Sequence, residues 1–131
     1  MQDSTARNKR IVREIYEVGF NRGDSGVFDR LYSDDFLHHD KTIHDVASGA
    51  AGEKQSMQRF REAIPDVQFT IESQIAEGDR VVVQLVIRGT PVRDFPPIVA
   101  DGRSIEIRAV AIFRIEADRV AEEWFYREPA S

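Results

Sequence analysis

Apolar residues at the start of the chain recur at helical spacing. Ile11, Ile15 and Val18 form one stripe of this kind, and Ser4 or Thr5 can cap the helix that the stripe predicts. Turn-forming residues follow directly and end the pattern. The chain is therefore expected to open with an amphipathic helix.

Two further helical patterns come before the sheet. The predicted segments are a short helix around residues 27–31, an extended piece over residues 36–39, a polar loop over residues 40–52 and a third helix over residues 52–64. Pro65 closes the third helix, because the residue before a proline is biased away from helical geometry.

From residue 66 onward the apolar period changes to two, which is typical of β-strands. Val67, Phe69 and Ile71 alternate with polar residues and lead into a Gly78-Asp79 turn. The later segments are a strand over residues 81–87, a long loop over residues 89–102, and a hairpin of residues 105–115 and 120–128. Helices first and strands second predict an α+β domain, with three N-terminal helices on one face of a mostly antiparallel sheet.

Composition narrows the class of protein. With 131 residues, 41% of them hydrophobic and 31% charged, the chain is expected to form a single domain over residues 1–131. The absence of cysteine excludes disulfides, a thiolate nucleophile and cysteine-ligated metals. A net charge of -5 with scattered basic residues disfavours nucleic-acid binding. No apolar stretch is long enough to span a membrane and the N-terminus is charged, so we expect a soluble, cytoplasmic protein.

The last hairpin predicts a covered face. Counting back from a two-residue turn at Ala117-Asp118, the pairs are Phe113 with Glu122, Ala111 with Trp124, and Ala109 with Tyr126. This register turns Glu122, Trp124 and Tyr126 toward the helices. The small side chains opposite the two aromatic rings leave room for an apolar pocket.

Several local motifs, in this order, resemble one known family. They are Phe20-Asn21-Arg22-Gly23-Asp24, Asp35-Phe36-Leu37-His38-His39-Asp40, Pro65-Asp66, Glu77-Gly78-Asp79-Arg80-Val81, Arg88-Gly89-Thr90, Pro96-Pro97 with Gly102-Arg103, and Ile112-Phe113-Arg114-Ile115 running into Glu122-Glu123-Trp124. Over nearly the whole chain this pattern is similar to the SnoaL-like polyketide cyclase and ester cyclase family of the nuclear-transport-factor-2-like superfamily.

The resemblance implies a cone-shaped, curved sheet with three helices on its concave face, the nuclear-transport-factor-2-like or cystatin-like roll. It also implies an apolar pocket, often a homodimer, and acid/base closure or rearrangement of a ring without metal or organic cofactor. The chain departs from the pattern in four places. They are Pro91 where many members have histidine after Gly-Thr, Ala117-Asp118 for the usual Asp-Gly turn, Ala111 where aspartate is frequent, and Glu123 where many have histidine before the tryptophan.

His39 and Glu122 are the predicted proton-transfer pair. His39 matches the histidine of the family, and an imidazole can accept a proton in one step and return it in the next. Burial of Glu122 would raise its pKa toward neutrality, and Glu128 on the same face is the reserve. Alternatively, His39 is a structural histidine, and Glu122 bends to water, pairs with a rim arginine or is exposed by a one-residue slip in register.

A metal site built from neighbouring residues is disfavoured. The candidate donors are His38, His39, Asp40 and His44. Adjacent residues on a strand point to opposite faces, so the two neighbouring histidines cannot readily share an ion. We therefore expect no metal at these residues, and the resemblance implies no organic cofactor either.

Aromatic side chains are the predicted walls for a small hydrophobic ligand. Trp124 and Tyr126 would form one wall and Tyr16, Phe20 and Phe36 the other, although such rings are also ordinary core residues.

Two polar residues of one strand are further binding candidates. Gln84 would face the core, to orient a substrate carbonyl or bond Ser73, and Arg88 would bind an acidic group or extend to the rim. The opposite row, Val81, Val83, Leu85 and Ile87, then suggests a dimer interface.

The favoured function is a cofactor-independent cyclase or isomerase of SnoaL-like type that acts on a hydrophobic, oxygenated substrate. Epoxide opening ranks lower, because an Asp/Arg pair in the pocket is not evident. A non-catalytic protein that binds a small apolar ligand is the third hypothesis.

Overall fold

The computed structural model describes residues 4–39, 49–96 and 98–128. In this part of the chain three α-helices accompany a sheet of five strands. The elements are α1 (Ser4–Glu14), α2 (Gly26–Leu31), β1 (Tyr32–His39), α3 (Gly49–Ala63), β2 (Gln68–Glu77), β3 (Arg80–Gly89), β4 (Ile105–Glu116) and β5 (Arg119–Arg127). Helix α1 continues without interruption into a π-helical segment, Ile15–Phe20.

The sheet is open and mixed, with the strand order β1-β5-β4-β3-β2. Strand β1 runs parallel to β5, and all other neighbours are antiparallel. This arrangement confirms the predicted α+β class. Strand β1 begins directly after α2 and is longer than the predicted extended piece.

The helices cover a large aromatic and aliphatic core. Tyr16 and Phe20 stack at 5.6 Å between ring centroids, and Phe20 lies 4.8 Å from Phe69. Val81, Val83, Leu85 and Ile87 belong to this core, each with no more than 1% of its surface exposed. The prediction that this row forms an outer dimer surface is therefore wrong.

A β-bulge on β2 explains that error. Ser73 does pair with Gln84 as predicted, but the register shifts between Ile71 and Ser73, so that Ile71 pairs with Leu85. The extra residue reverses which side chains of β2 and β3 share a face. Gln84 is consequently exposed on the outer face instead of facing the core.

A second bulge overturns the predicted register of the last hairpin. The turn at Ala117 and Asp118 does have two residues, both with positive φ (51° and 63°), and Glu116 pairs with Arg119 as expected. Beyond that the register shifts. The observed pairs are Ile115 with Val120, Arg114 with Glu122, Phe113 with Glu123, Ile112 with Trp124, Ala111 with Phe125, and Val110 with Tyr126.

The bulge at Ala121 moves every later residue of β5 to the other face. Glu122, Trp124 and Tyr126 therefore lie on the outer face, not beneath the helices, and 57% of Tyr126 is exposed. Glu123 is buried, with 4% exposure, and Phe125 packs against the core.

Two of the motifs that carry the resemblance, Pro65-Asp66 and Arg88-Gly89-Thr90, contact each other. The backbone N–H of Thr90 donates to Asp66 Oδ1 at 2.8 Å. A Cβ added to Gly89 would lie 2.3 Å from Ile64 Cγ2, so only glycine allows this approach of the chain to the end of α3. These motifs thus join the third helix to the sheet.

Candidate active site

One histidine and two glutamates meet beneath the helices. Strand β1 lies beside β5 with His38 in register with Glu123, and α3 brings Glu53 over them. His38 Nε2 lies 3.5 Å from Glu53 Oε1 and 3.5 Å from Glu123 Oε2. Both glutamates are buried, while the His38 side chain retains 20% exposure. We call these three residues the inner cluster.

Tyr32 contacts the inner cluster, and a second buried tyrosine, Tyr16, lies close enough for its pKa to respond to the charges there. The Tyr32 hydroxyl donates to Glu123 Oε1 at 3.3 Å. Burial, and then the charges of Glu123 and Glu53, raise the pKa of Tyr32 and of Tyr16 well above the ordinary value of 10.0. Both phenols therefore stay protonated to a higher pH than an ordinary tyrosine, and each hydroxyl can donate one hydrogen bond and accept others through its oxygen.

The two glutamates of the inner cluster were missed by sequence reasoning. Glu53 stands four residues before Met57 and seven before Phe60, so the helical spacing already placed it on the buried stripe of α3. The signal for Glu123 was weaker. Glu123 stands where many members of the family have a histidine. The register predicted from the sequence turned Glu123 outward, and only the bulge turns it inward.

The predicted pair His39 and Glu122 does meet, but on the outer face. His39 Nε2 lies 2.7 Å from Glu122 Oε2, and the imidazole stacks on Trp124 at 5.0 Å between centroids. Arg114 Nε donates to the other carboxylate oxygen of Glu122 at 3.0 Å, and the Arg80 guanidinium lies over Trp124. We call His39, Glu122 and Trp124 the outer cluster.

The pKa of Glu122 is lowered, opposite to the predicted direction. The hydrogen bonds with His39 and then with Arg114 favour the charged carboxylate and reduce its pKa below the ordinary value of 4.5. Such a carboxylate is ionised at neutral pH, so it accepts a proton less readily than an ordinary glutamate. Of the alternatives considered for Glu122, the structure shows pairing with an arginine, Arg114.

The predicted aromatic wall formed by Tyr16, Phe20 and Phe36 lies inside the fold. Phe36 packs edge-on against His38, with 5.9 Å between centroids, and Tyr16 packs in the core against Phe69 and Phe113. Phe20 lies deeper, against Phe60 and Phe69 in the core.

The polar candidates of β3 do not reach the interior. Gln84 accepts a hydrogen bond from the Ser73 hydroxyl at 2.5 Å, and Arg88 pairs with Glu106 at 2.8 Å, both at exposed positions. Gln84, Tyr126 and Glu128 line a groove of about 330 Å³ on the outer side of the sheet. Glu128 is exposed there, so the reserve carboxylate is not buried either.

The opposed directions of His38 and His39 agree with the expectation for neighbours on a strand. The other two residues of the disfavoured metal set, Asp40 and His44, lie outside the described residues. None of the helices in ranges 4–39, 49–96 and 98–128 is long and apolar enough to cross a membrane.

Comparison with known proteins identifies relatives across nearly the whole chain. The model of a family described as SnoaL-like polyketide cyclase matches residues 10–130, which confirms the resemblance seen in the sequence. No curated protein sequence matches the chain.

Solved structures with the same fold cover almost all of the chain. TsrD from Streptomyces laurentii superposes with a TM-score of 0.84 at 23% identity, covering 98% of this chain and 92% of TsrD. AclR from Streptomyces galilaeus, described as a candidate hydroxylase, gives 0.79 at 25% identity, over 95% and 80% of the two chains. A SnoaL-like polyketide cyclase from Agrobacterium tumefaciens gives 0.78 at 18% identity, over 98% and 93%. These structures share the nuclear-transport-factor-2-like fold with this chain.

Proposed function

This chain belongs to the SnoaL-like polyketide cyclase family, and we propose that it is a cofactor-independent cyclase or isomerase acting on a small hydrophobic, oxygenated substrate of polyketide or isoprenoid type. Family membership supports the general cyclase or isomerase role. The observation that carries the specific proposal is the placement of His38 Nε2 at 3.5 Å from each of two buried carboxylates.

His38 is the proposed proton carrier. A neutral imidazole can remove a proton from a carbon beside a substrate carbonyl and later return it to another atom of the same molecule. Glu53 and Glu123 lie where they stabilise the imidazolium that forms in between. In a buried setting this stabilisation is stronger than it would be in water.

Tyr16 is the proposed partner of the substrate oxygen. Its buried phenol is neutral and can donate a hydrogen bond to a carbonyl that becomes an enolate, whereas the Tyr32 proton is already donated to Glu123. Phe36, packed against His38, offers apolar surface to hold a flat substrate near the imidazole. The predicted pair His39 and Glu122 belongs to the outer cluster, and we assign it no proton transfer.

Exchange of hydrogen for deuterium tests this function without knowledge of the natural substrate. The protein in D2O would be mixed with β-tetralone, a bicyclic ketone, and incorporation of deuterium beside the carbonyl followed by NMR. Catalysed exchange is expected. We expect His38→Asn and Glu123→Gln to slow it by roughly 10²–10⁴-fold, the usual contribution of a general acid or base.

The adjacent residues on the same strands provide matched controls. His39→Asn and Glu122→Gln change the same residue types one position away, on the outer face, and should leave the exchange within a few-fold of the wild type. Equal losses in the inner and outer variants would contradict the assignment to His38. Binding of the ketone without exchange would instead favour a non-catalytic protein that holds a small apolar ligand.

A further inference from the structure

We propose that the inner cluster is a binding site for a first-row divalent cation such as Zn²⁺, with His38 Nε2, Glu53 Oε1 and Glu123 Oε2 as ligands. Each of the three residues offers one ligand atom, a ring nitrogen or a carboxylate oxygen, and these atoms lie within 4.8 Å of one another. The site lies at the group that we assign to proton transfer, but its occupancy does not depend on that function.

The two separations from His38 Nε2 to the carboxylate oxygens fit ligands of one ion better than they fit hydrogen bonds. A hydrogen bond from a ring nitrogen to a carboxylate oxygen is usually about 2.7–3.2 Å long. Two ligand atoms bound to the same tetrahedral zinc lie about 3.4 Å apart, given zinc–ligand distances near 2.1 Å. His38 Nε2 lies 3.5 Å from each of the two carboxylate oxygens.

Charge within the inner cluster favours a divalent ion. Glu53 and Glu123 are 5% and 4% exposed, so two carboxylates are withdrawn from water side by side. A divalent cation carries enough charge to balance both carboxylates.

Tyr32 supplies the support that metal-bound carboxylates commonly have. Its hydroxyl bonds Glu123 Oε1, which leaves Oε2, the oxygen facing His38, for the ion. The His38 side chain is 20% exposed, so the inner cluster is not fully sealed from solvent.

The donor set also predicts which ions bind. One imidazole and two carboxylates suit zinc, cobalt, iron or manganese, whereas calcium and magnesium prefer six or more oxygen ligands or retained water. Because a bound ion occupies the imidazole lone pair, we expect it to prevent proton transfer by His38. Zn²⁺ should therefore act on this protein as a reversible inhibitor.

Titration of the purified full chain with Co²⁺ tests the site. We expect one equivalent to bind, with the strong visible absorption of four-coordinate cobalt, and Zn²⁺ to displace it while an excess of Mg²⁺ or Ca²⁺ does not. His38→Ala and Glu123→Gln should abolish the absorption. Tyr32→Phe keeps all three ligands and should weaken binding by roughly 10–100-fold. His39→Asn and Glu122→Gln should bind as the wild type does.

Circular dichroism would show that each variant is folded. The proposal is overturned if folded wild-type protein gives no cobalt absorption, or if binding survives His38→Ala but is lost in His39→Asn. Deuterium exchange measured after treatment with EDTA separates the two proposals. Exchange without metal binding would leave the proposed function intact and refute the site, and metal binding without exchange would do the reverse.

Discussion

His38 and His39 are consecutive residues of β1, yet their imidazoles lie on opposite faces of the sheet. His38 is held between two buried glutamates, and His39 bonds Glu122 in the outer cluster. The pleat of a strand requires this separation. It separates the inner cluster, to which we assign proton transfer, from the outer cluster, which we expect to contribute to stability.

The outer cluster should stabilise the protein in a pH-dependent way. Because His39 and Arg114 lower the pKa of Glu122, its contribution to the free energy of unfolding is present above its ordinary pKa of 4.5 and is lost as pH falls below that value. Urea denaturation at a series of pH values from about 7 to about 3.5, which spans that pKa, measures how the free energy of unfolding changes as this contribution is lost. Glu122→Gln should reduce the loss of stability in acid.

Glu62→Gln is the control for the acid experiment. It removes an exposed carboxylate whose partner Arg93 lies 3.8 Å away, and should keep the acid dependence of the wild type. If Glu122→Gln also follows the wild-type curve, the role given to this contact is wrong.

Two of the three tyrosines should resist ionisation. Burial raises the pKa of Tyr16 and Tyr32, whereas in the unfolded chain these phenols ionise near 10.0. The free energy of unfolding should therefore fall as pH rises above 10.0, and the phenolate absorption of both should appear only with unfolding. Tyr32→Phe should weaken this alkaline dependence. Tyr126→Phe, at an exposed position, serves as the comparison, and phenolate absorption from all three residues in folded protein would refute the prediction.

Asn21 should be important for the edge strand β2. Its side chain donates to Phe69 O at 2.9 Å and accepts from Phe69 N at 2.7 Å, replacing the neighbouring strand that β2 lacks on that side. Asn21→Ala leaves both backbone groups without this partner and should cost about 1–3 kcal/mol of stability, measured by urea denaturation. Gln68→Ala alters an exposed neighbour and should cost within about 0.5 kcal/mol. Equal effects of the two substitutions would contradict this account.

Gly89 should tolerate no larger residue. An alanine Cβ would lie 2.3 Å from Ile64 Cγ2, so Gly89→Ala should lower stability by about 1–3 kcal/mol. Removing the opposing side chain relieves the overlap. In an Ile64→Ala background the added cost of Gly89→Ala should therefore be smaller, and purely additive losses would show that the two positions are not coupled.

The periodicity of the sequence was sufficient for the elements and the class of fold. The change from helical spacing to alternation, and the turn at Ala117-Asp118, predicted helices, hairpins and their order, because these patterns act between near neighbours. Residues of several motifs that carry the resemblance form hydrogen bonds between separate elements of the fold. Asp66 accepts from Thr90 N, and Asn21 accepts from Phe69 N. A homodimer, a cytoplasmic location and the roles of the named site residues stay predictions.

The sequence by itself determined that His38 and His39 face opposite ways and that a small α+β domain carries them. Only the tertiary structure decided which carboxylates each histidine meets. A bulge adds a single residue at Ala121, and because side chains alternate along a strand, that residue exchanges Glu122 for Glu123 on the inner face. Glu53 reaches the same point from α3, a contact between residues far apart in the chain that no local pattern specifies.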